Sequence, residues 1–197
     1  MPSPVLTIGH SNHPIDAFIR LLKEHHVEAI VDTRSHPRSK FVPQYDADTL
    51  RGSLRESQIE YIYLGKELGG RPEGREFYDE DGRVFYSRVA ASSFFQRGLE
   101  RLDVAMRKHR LALLCSEENP SICHRRLLVA RVLRERGIAV DHVRGDGSVQ
   151  SEEKLVEEEL ERTPDEQLNL FRQPRISEWK SIPSVLPRKR QSSSSGS

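Results

Sequence analysis

Through the first 150 residues, short apolar runs alternate with stretches whose apolar residues recur three and four apart. A run of four or five apolar residues is too short for a buried helix and suits a strand covered on both faces; the intervening stripes suit the helices that cover it. The alternation predicts a three-layer α/β domain with a mainly parallel sheet of about five strands. The strands fall at residues 5–8, 29–32, 61–64, 111–114 and 139–143. Ile15, Phe18, Ile19 and Leu22 form the first helical stripe, opened by Pro14, whose missing N–H costs nothing at a helix start. A weaker helix is expected over 47–58, a longer one over 92–108 through Phe95, Leu99, Leu102 and Met106, and another over 123–136 through Leu127, Leu128, Val132 and Leu133. The polar stretch 71–83 reads as an irregular excursion.

The organisation that follows is an α/β domain over 1–150 and an acidic helix over 151–162, with Val156 and Leu160 on one side. Residues 163–197, where Pro, Ser, Arg and Lys dominate, read as a flexible tail. No stretch approaches the roughly 20 apolar residues that cross a bilayer, and the N-terminal MPSPVLTIGH lacks the pattern of a secretory signal, so a cytoplasmic protein is expected. Two cysteines cannot make a disulfide framework; in a reducing compartment they are thiols, ligands or a redox pair. With 31 basic against 30 acidic residues, wholesale coating of DNA is excluded, while a locally basic face is not.

In an open parallel sheet, ligands bind beyond the carboxyl ends of the strands, where loops and helix N-termini converge. His10 follows the first strand, and Asp32, Arg34, His36 and Arg38 follow the second. Gly69, Gly70 and Arg71 come after the third, and Cys115, Cys123, His124 and Arg125 after the fourth. Cys123 opens a helix beside arginines, an environment that favours thiolate, so it is the expected nucleophile or reactive thiol, with His124 or His10 as acid/base and Asp32 as the orienting carboxylate. Arg34, Arg38, Arg71 and Arg125 suit phosphate, Gly69 and Gly70 suit close backbone approach to an anion, and Cys115, flanked by Leu114, reads as a core thiol at the edge of the substrate site. A bland alternative pairs Asp32 with Arg34 in a solvated basic turn. The phosphatase or rhodanese loop, with Arg six residues after Cys, does not fit, because position 121 is Ser and position 129 is Val. Cys115, Cys123, His124 and His10 are also metal-ligand types, so a divalent metal is an alternative, although the seven residues between the cysteines are not the spacing of a tight zinc knuckle.

The motifs Thr7-Ile8-Gly9-His10-Ser11, Val31-Asp32-Thr33-Arg34-Ser35-His36-Pro37-Arg38-Ser39, Leu68-Gly69-Gly70-Arg71 and Leu114-Cys115-Ser116-Glu117 with Cys123-His124-Arg125 resemble the bacterial and archaeal family called domain of unknown function 488. The resemblance covers about residues 5–145 and implies an α/β fold with one shared site, but no particular reaction. In the tail, Gln167-Leu168-Asn169-Leu170-Phe171 is similar to the peptide by which bacterial polymerases and repair proteins dock on the DNA sliding clamp. Gln167 would hydrogen-bond at a rim while Leu168, Leu170 and Phe171 fill apolar pockets. Alternatively, these side chains and Trp179 fold back on the domain as a clasp.

The expected function is DNA maintenance: a site that binds a nucleotide or nucleic-acid phosphate, with cysteine-dependent hydrolase or transferase chemistry, tethered to the clamp. The competing readings are a small-molecule thiol or phosphate enzyme unrelated to DNA, and a metal-binding module.

Overall fold

The computed structural model describes residues 3–162 and 179–182. Its centre is a six-stranded sheet: β1 (Val5–Gly9), β2 (Ala29–Asp32), β3 (Glu60–Tyr63), β4 (Leu111–Cys115), β5 (Val140–Val143) and β6 (Val149–Ser151), in the order β3-β2-β4-β1-β5-β6. All neighbours are parallel except β5 and β6. The expected α/β architecture is therefore present, with one short antiparallel edge strand beyond the five expected. That strand, Val-Gln-Ser, is too brief to carry an alternation legible in the sequence.

Strand side chains alternate between faces, and the buried residues divide accordingly. Leu6, Ile8, Ile30, Ala112 and Leu114 meet Phe18, Leu21 and Leu22 of α1 (Ile15–Glu24) and Leu50 and Leu54 of α2 (Ala47–Glu56). On the other face, Val5, Val31, Leu111 and Leu113 meet Phe95, Leu99 and Leu102 of α5 (Ser93–Met106), together with Leu128, Val129, Val132 and Leu133. Burying one such side chain contributes roughly 2–3 kcal/mol before chain entropy is set against it. Helix α5 starts where Ser92 Oγ accepts from the Phe95 N–H, an N-cap that satisfies one of the four unpaired donors of a first turn. Between β3 and α5 lie α3 (Gly65–Leu68), the 71–83 excursion and α4 (Tyr86–Ala91).

The helical pattern expected over 123–136 is realised as a π-helical turn, Arg125–Ala130, leading into α6 (Arg131–Glu135). Helix α7 (Glu152–Arg162) follows β6; it buries Leu155 rather than Val156, and also Glu152. Within the segment read as tail, Trp179–Ile182 packs on the body. Lys180 bridges to Phe85, the Ser181 N–H donates to Val84 O, Trp179 Nε1 donates to Leu127 O, and the Arg131 guanidinium lies over the indole. Among the described residues, no helix is long and apolar enough to cross a membrane.

The topology makes one special place. Helices α1 and α2, which follow β1 and β2, lie on one face, whereas the turn and helix after β4 lie on the other. Because β4 sits between β1 and β2, the chain departs in opposite directions around its carboxyl end and leaves a crevice there.

Candidate functional site

The loops around the end of β4 are tied to one another before any ligand is considered. The His10 N–H donates to Cys115 O, Ser11 N–H to Ser116 O, and both the N–H and Oγ1 of Thr33 to Leu114 O. Beneath the loop after Cys115 lies Arg125, fully buried, donating to Glu117 O, to Glu118 O (2.6 Å) and to Thr7 Oγ1 (3.3 Å). Thr7 Oγ1 in turn donates to His142 Nδ1 (2.7 Å), and His142 Nε2 donates to Glu152 (2.8 Å), which Arg126 also holds (2.8 Å). Gly9 is required beside this loop, because a Cβ there would collide with Glu117 O. Arg125, expected to bind phosphate, is thus a structural cation that fixes the Cys115 loop and offers nothing to a ligand.

Arg34 and Asp32 form a second closed unit. Both are buried; Arg34 Nε and Nη2 fork onto the Asp32 carboxylate (2.9 and 2.6 Å), and Nη1 reaches Tyr45 O and His10 Nε2. Tyr61 donates to Asp32 Oδ2 (2.7 Å), the oxygen that also accepts from Arg34 Nη2. The pairing offered as the bland alternative is present, but it is buried rather than solvated. His10 is stacked on Tyr45, gives its Nδ1 proton to Ser11 O and accepts from Arg34 at Nε2, so both ring nitrogens are occupied. Burial, reinforced by the Arg34 charge, pulls its pKa down to about 4. A neutral imidazole with both nitrogens engaged is poorly placed for acid/base chemistry.

The cysteines and His124 come together. Cys115 Sγ lies 3.5 Å and Cys123 Sγ 3.9 Å from His124 Nδ1, while Nε2 contacts Thr33 O at 3.1 Å. A carbonyl can only accept, so Nε2 carries the ring proton and Nδ1 is left to take a proton from sulfur. Gly70 lies over this ring: a Cβ there would sit 2.7 Å from His124 Cγ. Gly69 packs against Ser35, whose Oγ accepts from the Arg71 N–H. The two glycines therefore allow the third loop to press on the imidazole and the second loop, and Gly70 lines the same cavity as the thiols.

The thiols are not equivalent. The neighbouring Cys123 thiol draws the Cys115 pKa well below its ordinary value against the opposing burial, helped by the charge and hydrogen bond of His124 and by the Glu117 backbone N–H. Burial, then Cys115 itself, pushes the Cys123 thiol well up. His124 is lowered by burial, but the Cys115 thiolate and the Thr33 carbonyl outweigh that and raise it. The shifts thus favour the charged form at Cys115 over that at Cys123, and Cys115 is also the sulfur nearer to His124 Nδ1. The sequence points to Cys123 as the reactive thiol, whereas the structure sets Cys115 Sγ closer to the imidazole. Cys123 does stand at the start of the helical run, its carbonyl accepting from the Arg126 and Leu127 N–H groups; that Cys115 is the thiol closer to the imidazole has no signature in the sequence.

These groups floor a cavity of about 530 Å³ whose lining includes His36, Arg38, Arg71 and Tyr86. Arg38 and Arg71 are exposed, and among the described residues neither has an acidic partner within ion-pair distance. The family model described as Domain of unknown function DUF488 matches residues 14–132, more than half of the chain. The chain belongs to the DUF488 family. No curated protein and no solved structure matches it. The DUF488 match takes in the Asp32–Arg38 loop, Gly69 to Arg71, and Cys115 through Arg125, and it begins after His10. Within this DUF488 site, Cys115 Sγ, Cys123 Sγ and His124 Nδ1 lie within 4.8 Å of one another, a donor set that a zinc-like cation accepts once a fourth ligand completes it. His10, named with them from the sequence, is turned to Arg34 instead. The Gln167–Phe171 peptide lies outside the described residues.

Proposed function

We propose that the protein is a thiol-dependent enzyme, a hydrolase or transferase, acting on a phosphate-bearing substrate held at the carboxyl edge of its sheet. The observation that carries this reading is the Cys115–His124 pair: a sulfur 3.5 Å from Nδ1 of an imidazole whose other nitrogen is fixed on a backbone carbonyl, at the floor of a cavity lined by Arg38 and Arg71. In the first step the Cys115 sulfur bonds to an electrophilic centre of the substrate, and the bond to the leaving group breaks as His124 gives that group its proton. Water or an acceptor then attacks the covalent intermediate, its proton returns to His124, and the thiolate is restored. Arg38 and Arg71 hold the phosphate, and the Cys123 S–H stabilises the sulfur charge.

Iodoacetamide labelling followed by peptide mass spectrometry tests this. Cys115 should alkylate at pH values below the ordinary thiol range and Cys123 should not; in His124→Ala the Cys115 rate at pH 7 should fall at least tenfold. Stoichiometric zinc that blocks both cysteines, and whose removal is needed for labelling, would replace this reading with a metal centre.

The sequence Gln167-Leu168-Asn169-Leu170-Phe171 supports DNA maintenance as the setting, with clamp docking bringing the site to its substrate.

A further inference from the structure

The loop from Ser35 to Pro43, which carries Arg38 into the cavity wall, also carries Phe41, whose side chain is 95% exposed. Among the described residues no other large apolar side chain exceeds 56%. The exposure does not come from a slack backbone. The Phe41 N–H donates to Ser39 Oγ (3.2 Å), Ser39 N–H to Asp46 Oδ1 (2.7 Å), Arg38 N–H to His36 O (2.9 Å) and Ala47 N–H to Pro37 O (2.9 Å). Pro37 and Pro43 stiffen the same segment. A loop held this firmly presents its ring to solvent instead of folding it onto the domain.

The fixed charges that flank Phe41 on its own loop are cationic. Arg38 and Lys40 are exposed there beside His36, and the cavity that Arg38 helps to line also takes in Arg71 and one carboxylate, Glu117. The carboxylate nearest in sequence, Asp46, is occupied by the Ser39 N–H. An exposed aromatic face among cations is the combination that holds unpaired nucleotides: cations follow the phosphates, and the ring stacks on a base. A duplex does not fit the arrangement, because its base faces are already covered and a nucleotide must leave the stack to reach a sulfur at the floor of a cavity.

We infer that the Ser35–Pro43 loop is a docking surface for single-stranded DNA, in which a base stacks on Phe41, the adjoining phosphates lie on Arg38 and Arg71, and one nucleotide enters the cavity toward Cys115. This rests on the phosphate-bearing substrate proposed above and names its class. Fluorescence anisotropy of the full chain with labelled oligothymidine of about twelve nucleotides tests it, within the span that such grooves cover. Wild type should bind the single strand more tightly than the matching duplex, and more tightly than an oligouridine ribonucleotide of equal length. Phe41→Ala should weaken binding about 5- to 150-fold, the range found when stacking rings are removed, and Phe41→Trp should restore it with quenching of the added indole. Arg38→Ala should lower the slope of log affinity against log salt by about 0.7, one phosphate contact on a single strand.

Equal binding of single strand and duplex, an unchanged affinity in Phe41→Ala, tighter binding of the oligouridine, or no binding at low salt would each overturn the assignment. Cys115 alkylation, measured on the same preparations, should be untouched by Phe41→Ala. Loss of the alkylation signature with DNA binding intact removes the thiol reading alone, and the reverse removes the docking surface alone.

Discussion

Gly70 is where a single hydrogen atom separates two outcomes for the site. A methyl group at this position would press on His124 Cγ from 2.7 Å, and the ring could yield only by leaving either the Thr33 carbonyl or the Cys115 sulfur. Gly70→Ala is therefore expected to slow Cys115 alkylation at pH 7 several-fold while the far-ultraviolet circular dichroism stays that of wild type. His10 yields a prediction in pH. Its folded pKa of about 4 lies below the ordinary 6.5, so the unfolded chain binds the extra proton first. Its contribution is complete above pH 6.5 and is lost as the pH falls from there toward 4. Urea titrations should show up to about 3 kcal/mol of stability disappearing across that window, and His10→Gln should flatten the curve there. Sequence showed which residue types gather at the sheet edge, because strand ends are legible from apolar runs. It could not show which cations are already spent. Arg34 and Arg125 look as available as Arg38 and Arg71 until burial and partners are known, and partners such as Tyr45 O and Glu118 O are backbone atoms with no signature in a side-chain pattern.

The elements that the sequence missed are those held by few local signals. Strand β6 has three residues and takes its pairing from β5, and the π-helical turn differs from an α-helix by hydrogen-bond register, to which side-chain periodicity over six residues is blind. The segment Trp179–Ile182 lies in a composition that reads as tail, yet it makes a bridge, a buried serine and an indole hydrogen bond. The parallel strands and α1, α2 and α5 were legible because their apolar residues must fill two continuous faces. Trp179→Ala removes the indole's hydrogen bond to Leu127 and the ring on which the Arg131 guanidinium rests. It should cost about 2 kcal/mol, less than for a fully buried ring because the indole is half-buried. Chemical denaturation followed by circular dichroism measures it.

At the scale of the whole molecule, near-equal numbers of acidic and basic residues conceal a division of labour. Glu152 and Glu159 neutralise the buried Arg126, whereas Arg38 and Arg71 at the cavity have no acidic partner among the described residues. The phosphate attraction proposed for this edge should fade as salt rises. Clamp docking belongs to this scale too. A sliding clamp should retain the full chain in a pull-down and lose it when Leu170 and Phe171 are both changed to alanine; equal retention of both forms, or of neither, would sink the tether. The residues between α7 and Trp179 include that peptide, so a clamp gripping it would hold a stretch of chain whose two ends both return to the body. The chain has one tryptophan, and its ring stands edge-on to Tyr86 with 6.3 Å between centroids, while Tyr86 lines the cavity. The protein consequently carries its own optical reporter: indole emission, excited directly or through the tyrosine, registers both release of the C-terminal segment and filling of the cavity, with no label attached.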